Sequence, residues 1–338
     1  MRLDAACSPQ FARHETFYPR YGWVKKAVDA AAKDSDLFND ENAVVELGVG
    51  KNMVRSIRYW GLAYKVLAKQ AEATGRSHAA VPSTIGQTVF ADGGWDPYGE
   101  FPGTHWLLHW WLLAAKSVAP VWWLAFNEFP GLEFSDEQME QFVGDRVRDW
   151  GPHTNSIKKD VSCMLRMYAD ATGARGGFED RIDCPSRELQ LITATAERGV
   201  YRFNLGTKPT LPPSVAAFAC LDFIARTDGT ARTVTISRLA TEAGGPGRAL
   251  KLTEAALVDL LELPSQLHEE IEITSAAGVP QLTFSDLPAV SGSALLMNHY
   301  QQQTGLSKLK LAGGSLICGP QGSAPSTSST TAALQEAS

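Results

Sequence analysis

The sequence predicts a mainly α-helical fold with small β-hairpins, an α+β arrangement of tandem winged-helix or helix-turn-helix modules. Three observations predict it. Apolar residues recur at helical spacing along most of the chain, glycine turns separate short helices, and pairs of short β-prone runs flank turn residues. A chain of 338 residues suits two or three domains, each able to bury a core. The expected division is a DNA-binding helix-turn-helix module over 1–117, a second winged-helix-like module over 118–210 and an acidic winged-helix module over 211–305. The remainder, 306–338, is expected to be a disordered tail. From Gly313 onward it is mostly Gly, Ser, Thr, Ala and Pro, too poor in apolar side chains to bury a core.

In the first module helices are expected over 22–33, 40–47 and 51–67, the last opened by Gly48-Val49-Gly50. On that third helix Val54, Ile57, Gly61 and Tyr64 share one face, while Lys51, Arg55 and Arg58 lie opposite at spacings of four and three. A helix, a tight glycine turn and a helix with a basic outer stripe form the helix-turn-helix pattern. The run 84–92, followed by Gly93-Gly94, reads as a strand and wing. Trp106, Leu107, Leu108, Trp110, Trp111, Leu112 and Leu113 mark a helix buried nearly all round. In the second module Ser135-Asp136-Glu137-Gln138 spells a capping box for a helix to 149. Gly151-Pro152 breaks it, a helix over 154–169 carries Lys158, Lys159 and Arg166, and runs at 189–194 and 200–205 form a hairpin. The third module reads helix (215–226), strand (233–236), two helices (237–243 and 253–261), then a hairpin of 271–274 with 281–284. That order is the winged-helix topology.

The formal net charge is −6, which excludes a uniformly basic nucleic-acid coat. The charge is unevenly spread. Residues 1–26 carry five Lys/Arg against Asp4 and Glu15, whereas 211–290 carry five Lys/Arg against ten Asp/Glu. A basic front suits phosphate, and an acidic back suits a protein partner. Five cysteines are scattered with no CxxC pair, so neither a zinc ribbon nor a disulfide framework is indicated. With no apolar leader and no membrane-length apolar run, the expected compartment is the cytoplasm, with no membrane contact.

The run from Phe11 to Lys26 interleaves aromatics with Arg13, Arg20, Lys25 and Lys26. Cations neutralise phosphates and aromatic faces stack on unpaired bases, so Arg13, Arg20 and Lys25 are candidate DNA contacts. The competing reading is an arm whose aromatics fill the first module's core. Lys51, Asn52, Arg55 and Arg58 form the candidate recognition face, against the alternative of a solvated basic face. Lys158 and Lys159 extend it to the second module. His105 and His109 stand at metal-ligand spacing, but Trp106 occupies the place where a zinc protease needs Glu. They read better as buried, hydrogen-bonded histidines. Asp160, Glu179, Asp180, Asp183 and Glu188 form an acidic set; from it Asp160, Glu179 and Asp180 are candidate ligands of a divalent Mg or Mn ion that would activate water for phosphodiester cleavage. Caps and surface ion pairs are the alternative. His14 and Glu15 are a second candidate catalytic pair, able to move a proton at a scissile phosphate.

Several longer stretches carry a family resemblance: RHETFYPRYGW from Arg13 to Trp23, LGVGKNMVRSIRYW from Leu47 to Trp60, and Asp96 to Glu100 with Trp106 to His109. Lys159 to Cys163, Glu179-Asp180, Asp183 to Pro185 and Pro246 to Arg248 extend it over nearly everything before the tail. The chain resembles a bacterial family catalogued as domain of unknown function 4007. Its best-described kind of member looks like the DNA-nicking component of the single-strand phosphorothioation defence system. The resemblance implies a protein that nicks DNA before sulfur replaces a phosphate oxygen. It also implies three partners: a cysteine desulfurase, an ATPase and a sulfurtransferase-like protein. A non-catalytic DNA-binding adaptor and a winged-helix transcriptional regulator remain the alternatives.

Overall fold

The structure, a computed structural model, describes residues 2–70, 79–169, 184–267, 271–313 and 315–317. The first segment holds α1 (Trp23–Lys33), α2 (Ala43–Leu47) and α3 (Lys51–Ala63). A two-stranded antiparallel sheet of β1 (Leu67–Lys69) and β2 (Ala80–Pro82) follows. α2 ends on Gly48 in the left-handed region at φ 63°, and Gly50 starts α3 two residues later. The strand and wing expected over 84–92 are not there: Gly86–Phe90 is a short wide-turned helix. Its burial is continuous over Gly86 and Thr88–Phe90, which a one-sided strand does not allow. A Cβ on Gly86 would stand 2.1 Å from the Val66 carbonyl oxygen, so only glycine permits this close approach.

Two helices form the centre. α4 (Pro102–Leu113) is buried at every residue from Gly103 on, and α5 (Pro120–Asn127) is buried throughout. Around them two segments each carry a strand, helices and a hairpin closed into one sheet. In the first, β3 (Glu133–Ser135) leads into α6 (Asp136–Arg146) and α7 (Thr154–Tyr168), followed by β4 (Ile192–Ala194) and β5 (Val200–Phe203) in a sheet ordered β3-β5-β4. In the second, α8 (Pro213–Thr227) precedes β6 (Thr233–Thr235), α9 (Ile236–Thr241), α10 (Pro246–Leu250) and α11 (Glu254–Leu267). The hairpin of β7 (Ile271–Ala276) and β8 (Val279–Phe284) then completes a sheet ordered β6-β8-β7. In both, the last residue of the first strand caps the next helix. Ser135 and Thr235 each accept from the backbone N–H three residues on, and Gln138 completes the capping box at the former.

The buried residues of all three segments belong to one hydrophobic cluster. α12 (Pro288–Thr304) packs along α8, and the chain beyond it turns back to the first segment. There the Lys310 carbonyl accepts from the Trp95 indole at 2.9 Å, Ala312 N–H donates to Thr88 Oγ1 at 3.0 Å, and Leu316 is fully buried. The stretch 306–313 is therefore held against the core, contrary to the tail expected from 306; residues 318–338 lie outside the described residues.

The seam behind α5 contains a buried cation. Lys251, in the left-handed region at φ 53°, donates to the Phe126 carbonyl at 2.7 Å and lies 4.1 Å from the Phe203 ring centroid. Its backbone carbonyl in turn accepts from Lys208 Nζ and from Gly206 N–H, both at 3.0 Å. Burial, with the cations Arg248 and Lys208 adding to it, pushes the Lys251 ammonium down to about 7. Between about pH 7 and its ordinary value near 10.5 the unfolded chain binds a proton that the folded chain has released, so this group's contribution to stability grows with rising pH. Relative to wild type, Lys251→Met is therefore expected to gain stability at about pH 6 and to lose most of that advantage by about pH 9. Urea unfolding of both proteins at the two pH values measures it; a gap that does not move with pH would show that Lys251 titrates normally.

Candidate nucleic-acid interface

The arm from Phe11 to Tyr21 is bonded on one side to α3 and on the other to α7. At its centre His14 is fully buried, and its Nε2 lies 2.6 Å from Asp160 Oδ1. The same carboxylate oxygen accepts from Ala12 N–H at 2.8 Å. His14 stacks on Trp60 and meets Tyr59 and Trp122 edge-on, with centroids 5.7–6.2 Å apart. Burial pushes the Asp160 carboxyl above its ordinary value, against the lowering by His14 and by the Ala12 bond. Around this contact Ala12, Glu15 and Thr16 sit at φ 54°, 49° and 67°. Three non-glycine residues in the left-handed region within five positions are costly, and such a loop persists only where its surroundings over-determine it.

Further bonds supply that restraint. Trp60 Nε1 donates to the Phe17 carbonyl at 3.0 Å, and Arg166 donates to the Thr16 carbonyl at 2.7 Å. Arg166 and Arg187 lie over the Tyr18 ring at 5.7 and 5.2 Å. Glu15 reaches Arg55 at 3.5 Å. The Glu15 bond joins the arm to α3 and the Asp160 bond joins it to α7, so the two candidate basic helices border one strip of chain. Arg13 on the arm, Lys51, Asn52 and Arg55 on α3, and Lys158 and Lys159 on α7 are all exposed, with Lys158 3.7 Å from Glu140.

Other candidate residues stand elsewhere. Lys25 is buried and bonded to Asp29 at 2.5 Å and Asp92 at 2.6 Å. Burial lowers its affinity for the proton, but these two carboxylates outweigh it and raise the ammonium above its ordinary value. A cation already paired with two carboxylates is less available to a phosphate than the exposed Arg13. Arg58 is half-buried, and desolvation lowers its pKa. Arg20 lies 5.9 Å over the Trp23 ring. Asp160 was expected beside Glu179 and Asp180 around a divalent ion. Its partner in the structure is His14, at Oδ1. Glu179, Asp180 and Asp183 lie outside the described residues. Among the described residues no three His, Cys, Asp or Glu side chains converge as ligands.

The two histidines of α4 are structural anchors of different kinds. His109 Nδ1 is 2.7 Å from the Tyr168 hydroxyl and Nε2 is 2.8 Å from the Ala249 carbonyl. Burial first, then Lys251, pushes its pKa down to about 4, against the raising effect of the Ala249 bond. It is a neutral tie between three helices, as the sequence suggested. His105 places Nε2 2.8 Å from the Gly99 carbonyl and Nδ1 3.3 Å from Glu188 Oε2. Glu188 also accepts the hydroxyl of Tyr21, whose ring meets His105 edge-on at 5.7 Å. Sequence reading missed this set because its members stand 84 and 83 positions apart; the only signal was an acidic residue near a basic arm.

The family described as a protein of unknown function, DUF4007, matches residues 11–300. The chain belongs to that family. Two solved structures are similar over nearly the whole length. The SspB crystal structure is 37% identical with a TM-score of 0.86, covering 92% of this chain and 94% of that one. The magnesium ion-bound SspB crystal structure is likewise 37% identical with a TM-score of 0.85, covering 92% of this chain and 93% of that one. No curated protein matches. The family match begins at the arm and ends within α12, so the buried tie lies inside the matched residues.

Asp160→Ala would leave His14 Nε2 and Ala12 N–H without their acceptor inside a strained loop. We expect it to cost about 2 kcal/mol or more in unfolding free energy, and to bring early proteolytic cleavage near Arg13. Chemical denaturation with limited trypsin digestion tests this. Wild-type stability and an uncut arm would show that the pair does not hold the loop.

Proposed function

We propose that this chain is the DNA-binding, strand-nicking component of a phosphorothioation defence system. The observation that carries the reading is the full-length likeness to SspB at 37% identity, together with membership of the family. Two features of the chain support a DNA-binding role. One is the set of exposed Arg13, Lys51, Asn52, Arg55, Lys158 and Lys159 on the arm and the two helices it joins, which offers cations to phosphates. The other is the order strand, helices, hairpin in two segments, with the first strand paired to the last and two helices in one segment, three in the other; it is close to the order of a winged helix, and α3 follows a glycine turn as a recognition helix does. We assign winged-helix character to 118–210 and 211–305 on that order, and helix-turn-helix character to 1–117.

The same reading gives the chain its partners: DNA, and a cysteine desulfurase, an ATPase and a sulfurtransferase-like protein that insert the sulfur. We place it in the cytoplasm; among the described residues no helix is long and apolar enough to cross a membrane. The magnesium named for one SspB structure supports a divalent-ion requirement, for which Glu179 and Asp180 are our candidate ligands. The alternative reading is a DNA-binding adaptor without chemistry.

Two measurements test the proposal. Purified full-length protein mixed with supercoiled plasmid should give open circles, and leaving out Mg²⁺ and Mn²⁺ should abolish them; intact supercoils under every condition would favour the adaptor. Charge reversal of Lys51 and Arg55 together should weaken duplex binding and reduce the slope of log affinity against log salt by about 2. An unchanged slope would mean that phosphates are met elsewhere.

A further inference from the structure

We propose that Tyr21 is a phosphodiester nucleophile, with Glu188 as its general base and Tyr98 as the platform on which a neighbouring unpaired base stacks. This deepens the nicking reading and rests on it. Tyr21 is 37% and Tyr98 64% exposed, and they are the two aromatic residues among the exposed large hydrophobics of the described chain. The same local set holds them both. Tyr98 precedes Gly99, whose carbonyl anchors His105 at 2.8 Å; His105 faces one oxygen of Glu188 at 3.3 Å, and the other oxygen takes the Tyr21 hydroxyl. Among the other described residues large aromatic side chains are buried or half-buried, so the open rings of Tyr21 and Tyr98 are a departure from the pattern. Single-stranded nucleic acid is gripped in this way, by cations along the backbone and ring faces for the bases.

The geometry goes beyond a tether between the arm and the 3-10 turn Pro185–Leu189. A tether needs only one carboxylate oxygen. Here a buried histidine, bonded at its far nitrogen to the Gly99 carbonyl, stands 3.3 Å from the second oxygen, so the carboxylate lies between the phenol and a ring that is itself fixed in place. The base touches the hydroxyl it would deprotonate, which is the geometric condition for general-base catalysis. Burial, and then Glu188, raise the phenol of Tyr21 above its ordinary value. A standing phenolate is thereby disfavoured, and the proton must leave as the new bond forms. Lys25 Nζ, 5.9 Å from the Tyr98 ring centroid, helps to hold that ring in place.

The step balances without an oxidant or reductant. Tyr21 Oη attacks phosphorus and a P–O bond forms, while its proton passes to Glu188. The bond from phosphorus to one sugar oxygen breaks, and that oxygen leaves with the proton returned by Glu188. One phosphodiester becomes a phosphotyrosyl diester and a free sugar hydroxyl, which is a nick with protein on one end. His105 is a positioning residue, acting through Glu188.

The experiment mixes full-length protein in excess with uniformly ³²P-labelled supercoiled plasmid and divalent ion. Aliquots are quenched in SDS over time, digested with nuclease and resolved by denaturing gel, and DNA affinity is measured on the same preparations. Label on the protein band, mapped to the tryptic peptide containing Tyr21, is expected. Tyr21→Phe keeps the ring and should lower nicking at least about 100-fold with no label, while Glu188→Gln should lower it about 10-fold or more and remove the acid limb of the pH profile. Both variants should bind DNA as wild type does. Open circles without label at any quench time, or nicking retained by Tyr21→Phe, would overturn the tyrosine step and leave the nick to water. An absence of open circles from the wild type would overturn the nicking reading and this step with it.

Discussion

A helix with no solvent face has to satisfy every polar group it carries inside the protein. α4 is such a helix, and the arrangement of the rest follows from where its side chains find their partners. Thr104 shares its hydroxyl between Asp96 at 2.5 Å and Tyr300 at 2.6 Å. Trp106 donates to Thr210 at 3.1 Å, Trp110 donates to the buried carboxylate of Asp222 at 2.7 Å, and His109 spans Tyr168 and Ala249. One helix thus bonds to α7, α8, α10 and α12. Asp96 closes its start as well, since the other oxygen of the carboxylate accepts from Glu100 N–H at 2.9 Å. Cutting the chain between the second and third segments would strip acceptors from His109 and Trp110 and open the shared core. Segments that look separable in sequence are joined here by obligatory hydrogen bonds, not by apolar contact alone.

Much of the local structure was legible because its causes are local. The Ser135 capping box, the glycine turn before α3 and the hairpins near Gly199 and Gly278 each depend on residues a few positions apart. The burial of α4 was legible for the same reason, as aromatic and aliphatic residues occupy all its faces. The failure at 84–92 has an identifiable origin. Thr88, Val89 and Phe90 have strand-forming side chains, but the environment that decides between strand and helix is the Val66 carbonyl pressed against Gly86, which lies 20 positions away. Propensity was overruled by packing.

The candidate site shows the same division. His14 and Asp160 were each nominated from sequence, for two unrelated sites, and the structure puts them in one hydrogen bond across 146 positions. Nothing in composition or periodicity encodes that pairing. Charge along the chain was a partial guide in a similar way at Lys25, whose place in a basic run suggested phosphate and which the structure pairs with Asp29 and Asp92. A count of charges along the chain reports the supply of cations. Which of them remain available depends on carboxylates that the fold brings close.

The strain in the arm finally relates the buried tie to the surface chemistry. Ala12, Glu15 and Thr16 are each held in the left-handed region, which turns the chain sharply on both sides of His14. The turns send Arg13 and Glu15 outward while His14 points into the aromatic cage of Tyr59, Trp60 and Trp122. From there the chain runs past Tyr18, clasped by Arg166 and Arg187, and delivers Tyr21 to Glu188. The position of Tyr21 is therefore fixed from two ends: by Asp160 on α7 through the arm, and by His105 on α4 through Glu188. Each anchor is buried and each surface group is not, the arrangement by which a rigid interior can hold exposed polar groups in one geometry.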